Sequence, residues 1–376
     1  RLGDLVYGSD GQAHEVVGVY PQGKQDVFKI TFTDGSTVES TLDHLWTVNT
    51  ALRKYQGYSP RTLTLKQILE HGLKDADGNT EFFVPLVKPI QFPLKELPLD
   101  SYLLGVLIGD GYLASGAVCI SSGDTEILDK VKQLLPTGMV LVHKSGYDYR
   151  VVTLGAHGGT TNPLKDILKE LDLRKLSSGK FIPPQYKYSS ISQRLALLRG
   201  LMDTDGYVSK DGIVVQFSTV SEQLCDDVQF LVESLGGKAT KASKVPSYSY
   251  KGERCEGQIA YTLNISITEM PFSLKRKAEL IKPRTKYLPF RGIDRVEQVE
   301  GKLCQCIAVN SADKLYVTDH CILTHNTPQA IHWGAELHPV LVVVPAALVL
   351  NWQREIHEMW RPLDSVTLLD GTIDLP

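Results

Sequence analysis

The chain has 376 residues, of which 42% are hydrophobic and 22% are charged. This length exceeds what one hydrophobic core usually serves, so we expect two or three domains, and the balance of apolar and charged residues excludes a disordered chain. The net charge of −3 does not by itself indicate a nucleic-acid partner, but residues 236–286 carry eleven Lys and Arg against four Glu, and such a local surplus favours a phosphate-facing surface.

Membrane and targeting signals are missing from the sequence pattern. The longest apolar run, PVLVVVPAALVL at 339–350, is interrupted by Pro345 and is shorter than the roughly 18 residues that span a bilayer. Six cysteines without regular spacing do not indicate a disulfide framework. Neither a signal core nor a methionine precedes the folded-looking sequence at Arg1. We therefore expect an excised, monomeric, cytoplasmic chain that makes no membrane contact.

The first residues predict a compact β unit. Residues 1 to about 95 alternate apolar and polar positions in short runs, which are separated by turn signals such as TDGS at 33–36 and DADGN at 75–79. A period of two, rich in Val, Thr, Phe and Tyr, is typical of short strands. The same texture returns over 288–326, so residues 1–95 and 288–326 are expected to form one domain that is split in sequence.

Residues 96–287 predict an inserted α/β module with an internal repeat. The segments LLGVLIGDGY (103–112) and LRGLMDTDGY (198–207) share a helical pattern that ends in aspartate, glycine and tyrosine. Each is followed by β-prone sequence and an amphipathic helix, over 125–135 and 221–235. A repeat of this length predicts two copies of one module about a pseudo-twofold axis.

The last residues, 327–376, predict a third and shorter α/β segment. A helix-like stretch leads into VLVVVP, a run typical of a buried parallel strand, and a second helix is expected near 348–360.

The end of the second β segment carries a reactive combination of residues. In THNT (324–327), the side-chain amide of Asn326 can attack its own backbone carbonyl, form a succinimide and cut the chain. His325 can polarise that carbonyl or transfer a proton. Two patterns accompany it, TLDHLW at 41–46 and CQC at 304–306.

Together with LYVTDHCILTHN at 315–326, these patterns resemble the motif blocks of inteins, self-splicing elements built on the all-β Hedgehog/intein (HINT) fold. The resemblance covers residues 1–326. Thr41 and His44 match the family's T-x-x-H motif, which lies over the upstream scissile peptide. Most members begin with a Cys or Ser nucleophile, whereas this chain begins with Arg1.

One subclass of the family lacks the first-residue nucleophile. It uses a cysteine in the penultimate motif, a tryptophan two residues after the T-x-x-H histidine and a threonine after the terminal asparagine, and Cys306, Trp46 and Thr327 match these positions. Taken singly, His44, Trp46 and Cys306 are typical core residues. Their joint occurrence favours the subclass.

The resemblance implies that splicing begins at an internal sulfur. Cys306 would attack the carbonyl upstream of Arg1 and give a branched thioester, and His44 would protonate the leaving amine. Thr41 would hydrogen-bond the strained amide or its oxyanion, and Trp46 would exclude water from the sulfur.

The later steps implied by the resemblance use the terminal motif. The Thr327 hydroxyl takes the acyl group, Asn326 cyclises with help from His325, and an O-to-N shift leaves a peptide bond. Splicing is expected to need no cofactor. Ligation needs an N-terminal host segment that is absent from this chain.

The two repeats resemble the LAGLIDADG motif of homing endonucleases, matching at 103–111 and 198–206. Gly105 and Gly200 would let two helices approach closely, so that Asp110 and Asp205 meet at their base. Paired carboxylates can hold Mg²⁺, and the strands that follow would form a saddle over double-stranded DNA.

Basic residues are assigned to this expected DNA surface. Those predicted to face phosphate are Lys238, Lys241, Lys244 and residues 275–277. Lys244 and Lys282 are candidate auxiliary lysines of the metal site, whereas Asp203 is assigned a structural role.

Residues 327–376 resemble the segment after the phosphate-binding loop of Swi/Snf-type helicase-like ATPases, where a strand ends in V-P-x-x-L-x-x-N-W. Thr327 would then be the last residue of a G-x-x-x-x-G-K-[ST] loop that the intein interrupts. The whole chain is expected to have a mixed fold: an all-β HINT domain, an inserted two-repeat LAGLIDADG domain and a short α/β host fragment.

Two alternatives stay open from sequence. The LAGLIDADG domain could bind DNA without cutting it. The splicing element could also be an ordinary intein in which a first-position cysteine has been replaced by Arg1.

Overall fold

The computed structural model describes residues 1–114, 116–155, 162–250, 253–282 and 290–326. Residues Arg1–Asn326 form one compact unit, and Thr327–Pro376 belong to a second. The predicted host fragment at 327–376, with Thr327, lies outside the described residues. The described part is mixed α and β, as the sequence predicts, and none of its helices is long and apolar enough to cross a membrane.

The first segment is built mainly of short strands. Its elements are β1 (Leu5–Tyr7), β2 (Ala13–Phe32), β3 (Thr37–Ser40), β4 (Leu45–Thr50), α1 (Ala51–Tyr55), β5 (Arg61–Thr64), α2 (Leu65–His71) and β6 (Phe82–Pro85). The helix α2 begins at a capping box, in which Thr64 and Gln67 each bond the other's backbone.

The inserted module begins with one copy of three helices and four strands. Its elements are α3 (Ser101–Asp110), β7 (Gly111–Tyr112), β8 (Cys119–Ser121), α4 (Thr125–Leu134), β9 (Met139–Ser145), β10 (Asp148–Thr153) and α5 (Pro163–Glu170). A single-turn 3₁₀ helix at Ser177–Gly179 and α6 (Pro184–Lys187) lead to the second copy.

The second copy repeats this order and has one additional hairpin before its last strand. Its elements are α7 (Ile191–Asp205), β11 (Gly206–Val208), β12 (Val215–Thr219), α8 (Glu222–Ser234), β13 (Lys238–Lys244), β14 (Ser247–Tyr250), β15 (Glu253–Glu256), β16 (Ala260–Ser266) and α9 (Lys275–Ala278). The helices α4 and α8 confirm the two amphipathic helices predicted from sequence.

The chain then returns to the β unit. It adds β17 (Phe290–Val309), β18 (Leu315–Val317), a 3₁₀ turn at Asp319–Cys321 and β19 (Leu323–His325). The strands β18 and β19 form a hairpin.

The β unit is organised by one long antiparallel pair. Its sheet has the order β1-β2-β17-β6-β4-β5, with β3 on β2. The pairing of β17 with β2 runs from Ile293 opposite Phe32 to Val309 opposite Val16, with several bulges that bend the ribbon. The two segments that are distant in sequence therefore form one sheet.

The two copies in the inserted module have the same topology. Their sheets have the orders β7-β8-β10-β9 and β11-β12-β16-β13. The helices α3 and α7 pack against each other at Gly105 and Gly200. Their backbones are so close there that a Cβ added to Gly105 would lie 2.5 Å from the carbonyl oxygen of Leu197. Only glycine fits such a crossing.

The unit has two hydrophobic cores. One lies between the helices and sheets of the inserted module, and the other lies within the β unit around Phe32 and Trp46. Arg194 of α7 joins them because its buried guanidinium donates to the carbonyls of Ser189, Ser234 and Ile90, the last of which lies in the connection after β6.

Replacing Gly105 by alanine is expected to push α3 and α7 apart and to lower the free energy of unfolding by about 1–3 kcal/mol. Urea unfolding of Gly105→Ala measures this. The matched control is Gly179→Ala, whose Cβ would meet only the Lys175 side chain, at 3.4 Å or more. Equal stability of the two variants would contradict the tight crossing.

Candidate functional sites

Two carboxylates meet where α3 and α7 end. Asp110 and Asp205 are the last residues of these helices. A Cβ on Gly109 would lie 3.0 Å from the Asp205 Oδ2, so the Asp205 carboxylate lies beside the end of α3. Burial and the charge of Asp110 raise the pKa of Asp205 to about 6. Burial also raises the pKa of Asp110.

Each carboxylate is accompanied by a buried lysine, of which sequence analysis missed Lys180 and assigned Lys277 to the phosphate-facing surface. Lys180 Nζ donates to the carbonyls of Gly109 and Gly111, both at 2.9 Å. Lys277 Nζ donates in the same way at the end of α7, to four carbonyls that include Gly206 at 2.7 Å. These lysines compensate the negative ends of two helix dipoles, and their charges offset part of the rise in pKa that burial causes at both aspartates.

The predicted auxiliary lysines are therefore replaced by other residues. The cations that act on Asp110 and Asp205 are Lys180 and Lys277, rather than Lys244 and Lys282. A sequence signal for them exists, since Lys180 follows Gly111 by 69 residues and Lys277 follows Gly206 by 71. The lysines thus share the period of the repeat.

The donor set of this carboxylate pair fits a hard divalent cation. Carboxylate oxygens are the ligands that Mg²⁺ prefers, and a dication between the two would relieve the repulsion that raises the pKa of Asp205. Within the described ranges there is no cluster of three or more His, Cys, Asp or Glu side chains that could hold a metal. The site thus offers two protein carboxylates and leaves further positions for water or phosphate oxygens.

Asp203, two residues before Asp205, is hydrogen-bonded through both carboxylate oxygens. Its oxygens accept from the Tyr102 hydroxyl at 2.8 Å and from the backbone N–H groups of Ser273 and Leu274, both at 2.9 Å. It ties α7 to the segment before α9, which agrees with the structural role predicted for it.

The outer faces of the two four-stranded sheets carry polar side chains. On the second sheet the strand register aligns four of them: Tyr207, Gln216, Asn264 and Thr240. On the first sheet Tyr112 and Arg150 lie on either side of Cys119 and are exposed. Such faces can contact phosphates and base edges.

Three of the cations predicted to face phosphate contact the protein instead. Lys241 forms ion pairs with Glu222 at 3.1 Å and Asp226 at 2.5 Å, both on α8. Arg276 pairs with Asp124 at 2.7 Å, and Lys277 caps α7. The prediction is wrong for Lys241 because alternate positions of a strand face opposite sides. Arg276 and Lys277 lie on the helix α9, where a count of charges does not show which cations pair with a carboxylate or cap a helix.

A second site lies in the β unit, around His44. The His44 Nε2 lies 2.5 Å from the Thr324 Oγ1, and its ring meets the Trp46 ring edge to face at 5.5 Å. Trp46 is fully buried. Burial and the nearby His325 lower the pKa of His44 to about 4, so the imidazole is neutral at pH 7.

His325 lies against the backbone carbonyl of Asn326. The His325 Nδ1 lies 2.5 Å from the Asn326 backbone oxygen, and burial lowers the pKa of His325. A neutral ring with a proton on Nδ1 donates to this oxygen and polarises the carbonyl. The Asn326 side chain fits best with its nitrogen donating to the Lys314 carbonyl at 2.9 Å and its oxygen accepting from the Val309 N–H at 3.1 Å.

Cys306 lies beside this cluster. Burial and, after it, the charge of the nearby Cys306 raise the pKa of Tyr316 to about 12. Tyr316 is paired with Thr324 across the β18–β19 hairpin. On β17, Cys306 lies opposite Tyr20 of β2. The strand β1 lies on the other side of β2, so β1 and the strand of Cys306 are two strand spacings apart, about 10 Å.

The structure thus brings His44, Trp46, Thr324, His325 and Asn326 together, with Cys306 next to them. Thr41 lies in the turn before β4, where its carbonyl accepts from the His44 N–H at 3.3 Å. The predicted Thr327 lies outside the described residues. The Trp46 Nε1 is buried and lacks a hydrogen-bond partner among the described residues.

The second repeat matches a known family. Residues 192–266 match the family model described as LAGLIDADG-like domain. This match confirms the LAGLIDADG prediction for the second of the two copies.

Two curated proteins and several solved structures are similar to the chain. It is 28% identical over 359 residues to the replicative DNA helicase DnaB of Mycobacterium intracellulare, covering 87% of this chain and 55% of that protein. It is 25% identical over 229 residues to a glutamine–fructose-6-phosphate aminotransferase of Methanocaldococcus jannaschii, covering 59% and 19%. The chain thus spans about half of the first relative and a fifth of the second.

Solved structures of the homing endonuclease I-DmoI are among those similar to the chain. A structure of its mesophilic variants has 16% identity and a TM-score of 0.29, covering 48% of this chain and 91% of that chain. Its complex with DNA and Ca has 15% identity and a TM-score of 0.31, covering 48% and 94%. Likenesses at these TM-scores carry no argument about function.

Asp205→Asn is expected to stabilise the protein at alkaline pH. The folded carboxyl has a pKa of about 6 against 3.8 for the unfolded chain, so the folded state holds an extra proton between these values and loses stability as pH rises through them. The variant should raise the free energy of unfolding at pH 8 by about 1–3 kcal/mol and change little below about pH 3.5.

Urea unfolding at the two pH values measures this effect. The control is Asp129→Asn, which removes an exposed carboxylate paired with Lys132. A stability gain in Asp205→Asn that did not depend on pH would show that the buried charge is not its cause.

Proposed function

We propose that the inserted module cuts double-stranded DNA with the Asp110–Asp205 pair. The observation that carries this proposal is the meeting of two carboxylates at the ends of crossing helices, each next to a buried lysine, in a segment whose second copy matches a LAGLIDADG-like domain. The polar faces of the two sheets would contact the duplex on either side.

In this reaction the protein supplies position and charge. Asp110 and Asp205 would hold Mg²⁺, which when bound supplies an activated water and stabilises the leaving oxygen. Lys180 and Lys277 keep the ends of α3 and α7 in register, so that the carboxylates stay directed at the same point. Their positive charges also favour a nearby phosphate.

Asp110→Asn and Asp205→Asn are each expected to slow DNA cleavage by at least about 10²-fold while DNA binding persists. The substrate is a plasmid that carries the host gene sequence without the inserted element, and linear product is measured on gels with Mg²⁺ and with EDTA. Asp129→Asn should cut normally. A mobility shift without double-strand breaks in the unmodified protein would favour the DNA-binding alternative.

A second function is favoured by the His325–Asn326 geometry. We propose that the β unit is a HINT-type element that splices the flanking host segments, with the chain cut after Asn326. The Asn326 Nδ2 attacks its own carbonyl carbon to close a succinimide, the bond to Thr327 breaks, and the Thr327 nitrogen takes a proton and leaves as an amine. The His325 Nδ1 holds the carbonyl oxygen as negative charge develops on it.

The first steps of splicing are assigned to Cys306. We infer that Cys306 gives its thiol proton to the neutral His44 imidazole as it attacks the carbonyl before Arg1, and that His44 returns this proton to the Arg1 nitrogen, which leaves as an amine. The likeness to a helicase over 87% of the chain supports a helicase as the interrupted host, which would act in the cytoplasm. We also propose that the ATPase of this host is of the Swi/Snf type.

Asn326→Ala is expected to abolish release of residues 327–376 from the chain, and His325→Gln to slow it by about 10²-fold. Mass spectrometry of the released segment measures both. In a chain extended upstream by the host sequence, Cys306→Ala should prevent ligation and leave release intact.

The upstream extension also tests the ordinary-intein alternative. Arg1→Cys combined with Cys306→Ala should still fail to ligate the flanks, because the site is built around the internal sulfur. Normal ligation by this double variant would assign the nucleophile to the first position.

A further inference from the structure

The terminal hairpin turns through two strained residues. The strands β18 and β19 are joined by residues 318–322, and within this turn His320 has φ 56° and Cys321 has φ 50°. Both values lie in the left-handed region, which residues other than glycine adopt uncommonly, asparagine, aspartate and histidine more often than cysteine and the rest. Such a turn persists only where neighbouring groups hold it.

A carboxylate of the inserted module faces this turn. Glu233 lies on α8 and is 2% exposed, and its Oε2 lies 3.6 Å from the His320 Nδ1. Its Oε1 accepts from Gln229 at 3.1 Å and from Arg291 at 3.5 Å. Glu233 thus contacts two parts of the chain that follow the module: β17, through Arg291, and the turn between β18 and β19, through His320.

The surroundings fix Glu233 in this position. Arg291 also donates to Asp34 at 2.6 Å, and the latter lies in the turn between β2 and β3. The Cys321 side chain is buried in the core of the β unit, on the side of α8. The charged groups around His320 are therefore Glu233, Arg291 and Asp34.

The turn sets the register of the strand that carries the cleavage site. In the present register Tyr316 lies opposite Thr324 and Leu315 opposite His325. Side chains alternate between the faces of a strand, so a slip by one residue would exchange the faces of Thr324 and His325. The contact of His44 with Thr324 would then be lost, and the side chain of His325 would face the other side of the strand.

We propose that Glu233 is a positioning residue for chain cleavage after Asn326: it holds the His320–Cys321 turn, and so makes the reaction of the β unit depend on the inserted module. This inference rests on the proposed cleavage. Glu233 touches none of the reacting atoms and acts through the geometry of β19.

Glu233→Gln is expected to slow release of residues 327–376 by roughly tenfold, because small displacements of reacting groups cost one to two orders of magnitude in rate. The matched control is Glu222→Gln, the same change on the same helix, at a residue that pairs with Lys241. Release is followed by mass spectrometry of the full chain. Equal rates for the two variants would overturn the proposal.

Substitutions of His320 separate backbone strain from imidazole chemistry. His320→Ala keeps the strained conformation without the ion pair and should be about as slow as Glu233→Gln, whereas His320→Gly removes the strain. His320→Gly should release at close to the unmodified rate, and it should restore the rate of Glu233→Gln. A glycine variant as slow as the alanine variant would assign His320 a chemical role and overturn the proposal. DNA binding should stay unchanged in all of them.

Hydrogen exchange separates this inference from the proposed function. Glu233→Gln should speed amide exchange in β18 and β19, where Tyr316 pairs with Thr324, and Glu222→Gln should not. If the unmodified chain releases nothing but exchange rises in this way, the cleavage proposal fails and the positioning contact stands. If release occurs and exchange is unchanged, the positioning proposal fails.

Discussion

The antiparallel pairing of β2 with β17 is the constraint on which the rest of the structure depends. Each strand has 20 residues, and they come from opposite ends of the β unit. Their ladder carries Cys306 on β17 and brings the terminal hairpin to the sheet that holds His44. Without it, the His44–Thr324 contact would require closing a loop of 280 residues against chain entropy alone.

The general organisation could be predicted from sequence because it depends on local patterns. The two repeats predicted the two crossing helices, and Gly105 and Gly200 lie where the helix backbones touch. Lys180 and Lys277 could not be assigned to the carboxylates by motif, since each reaches its helix from about seventy residues away. Long side chains that cap a helix from a distant segment leave no local pattern.

The site around His44 and His325 also combines features that the sequence predicts with features that only the structure shows. The order of Thr, His, Trp and the terminal His-Asn pair could be recognised in the sequence, and the structure adds which atoms meet: His44 with Thr324, and His325 with the Asn326 carbonyl. The positive φ angles of His320 and Cys321 could not be predicted, because the charges that hold them lie on α8. A lysine on a strand was equally ambiguous, since Lys241 faces α8 rather than solvent.

The inserted module leaves and rejoins the sheet at neighbouring points. Pro85, at the end of β6, pairs with Phe290, at the start of β17, and adjacent strands are only about 5 Å apart. A gene that lost everything between them could close the gap with a hairpin loop and keep the sheet. The architecture therefore permits gain and loss of the inserted module during evolution. The contact of its buried Glu233 with the terminal hairpin would favour keeping it.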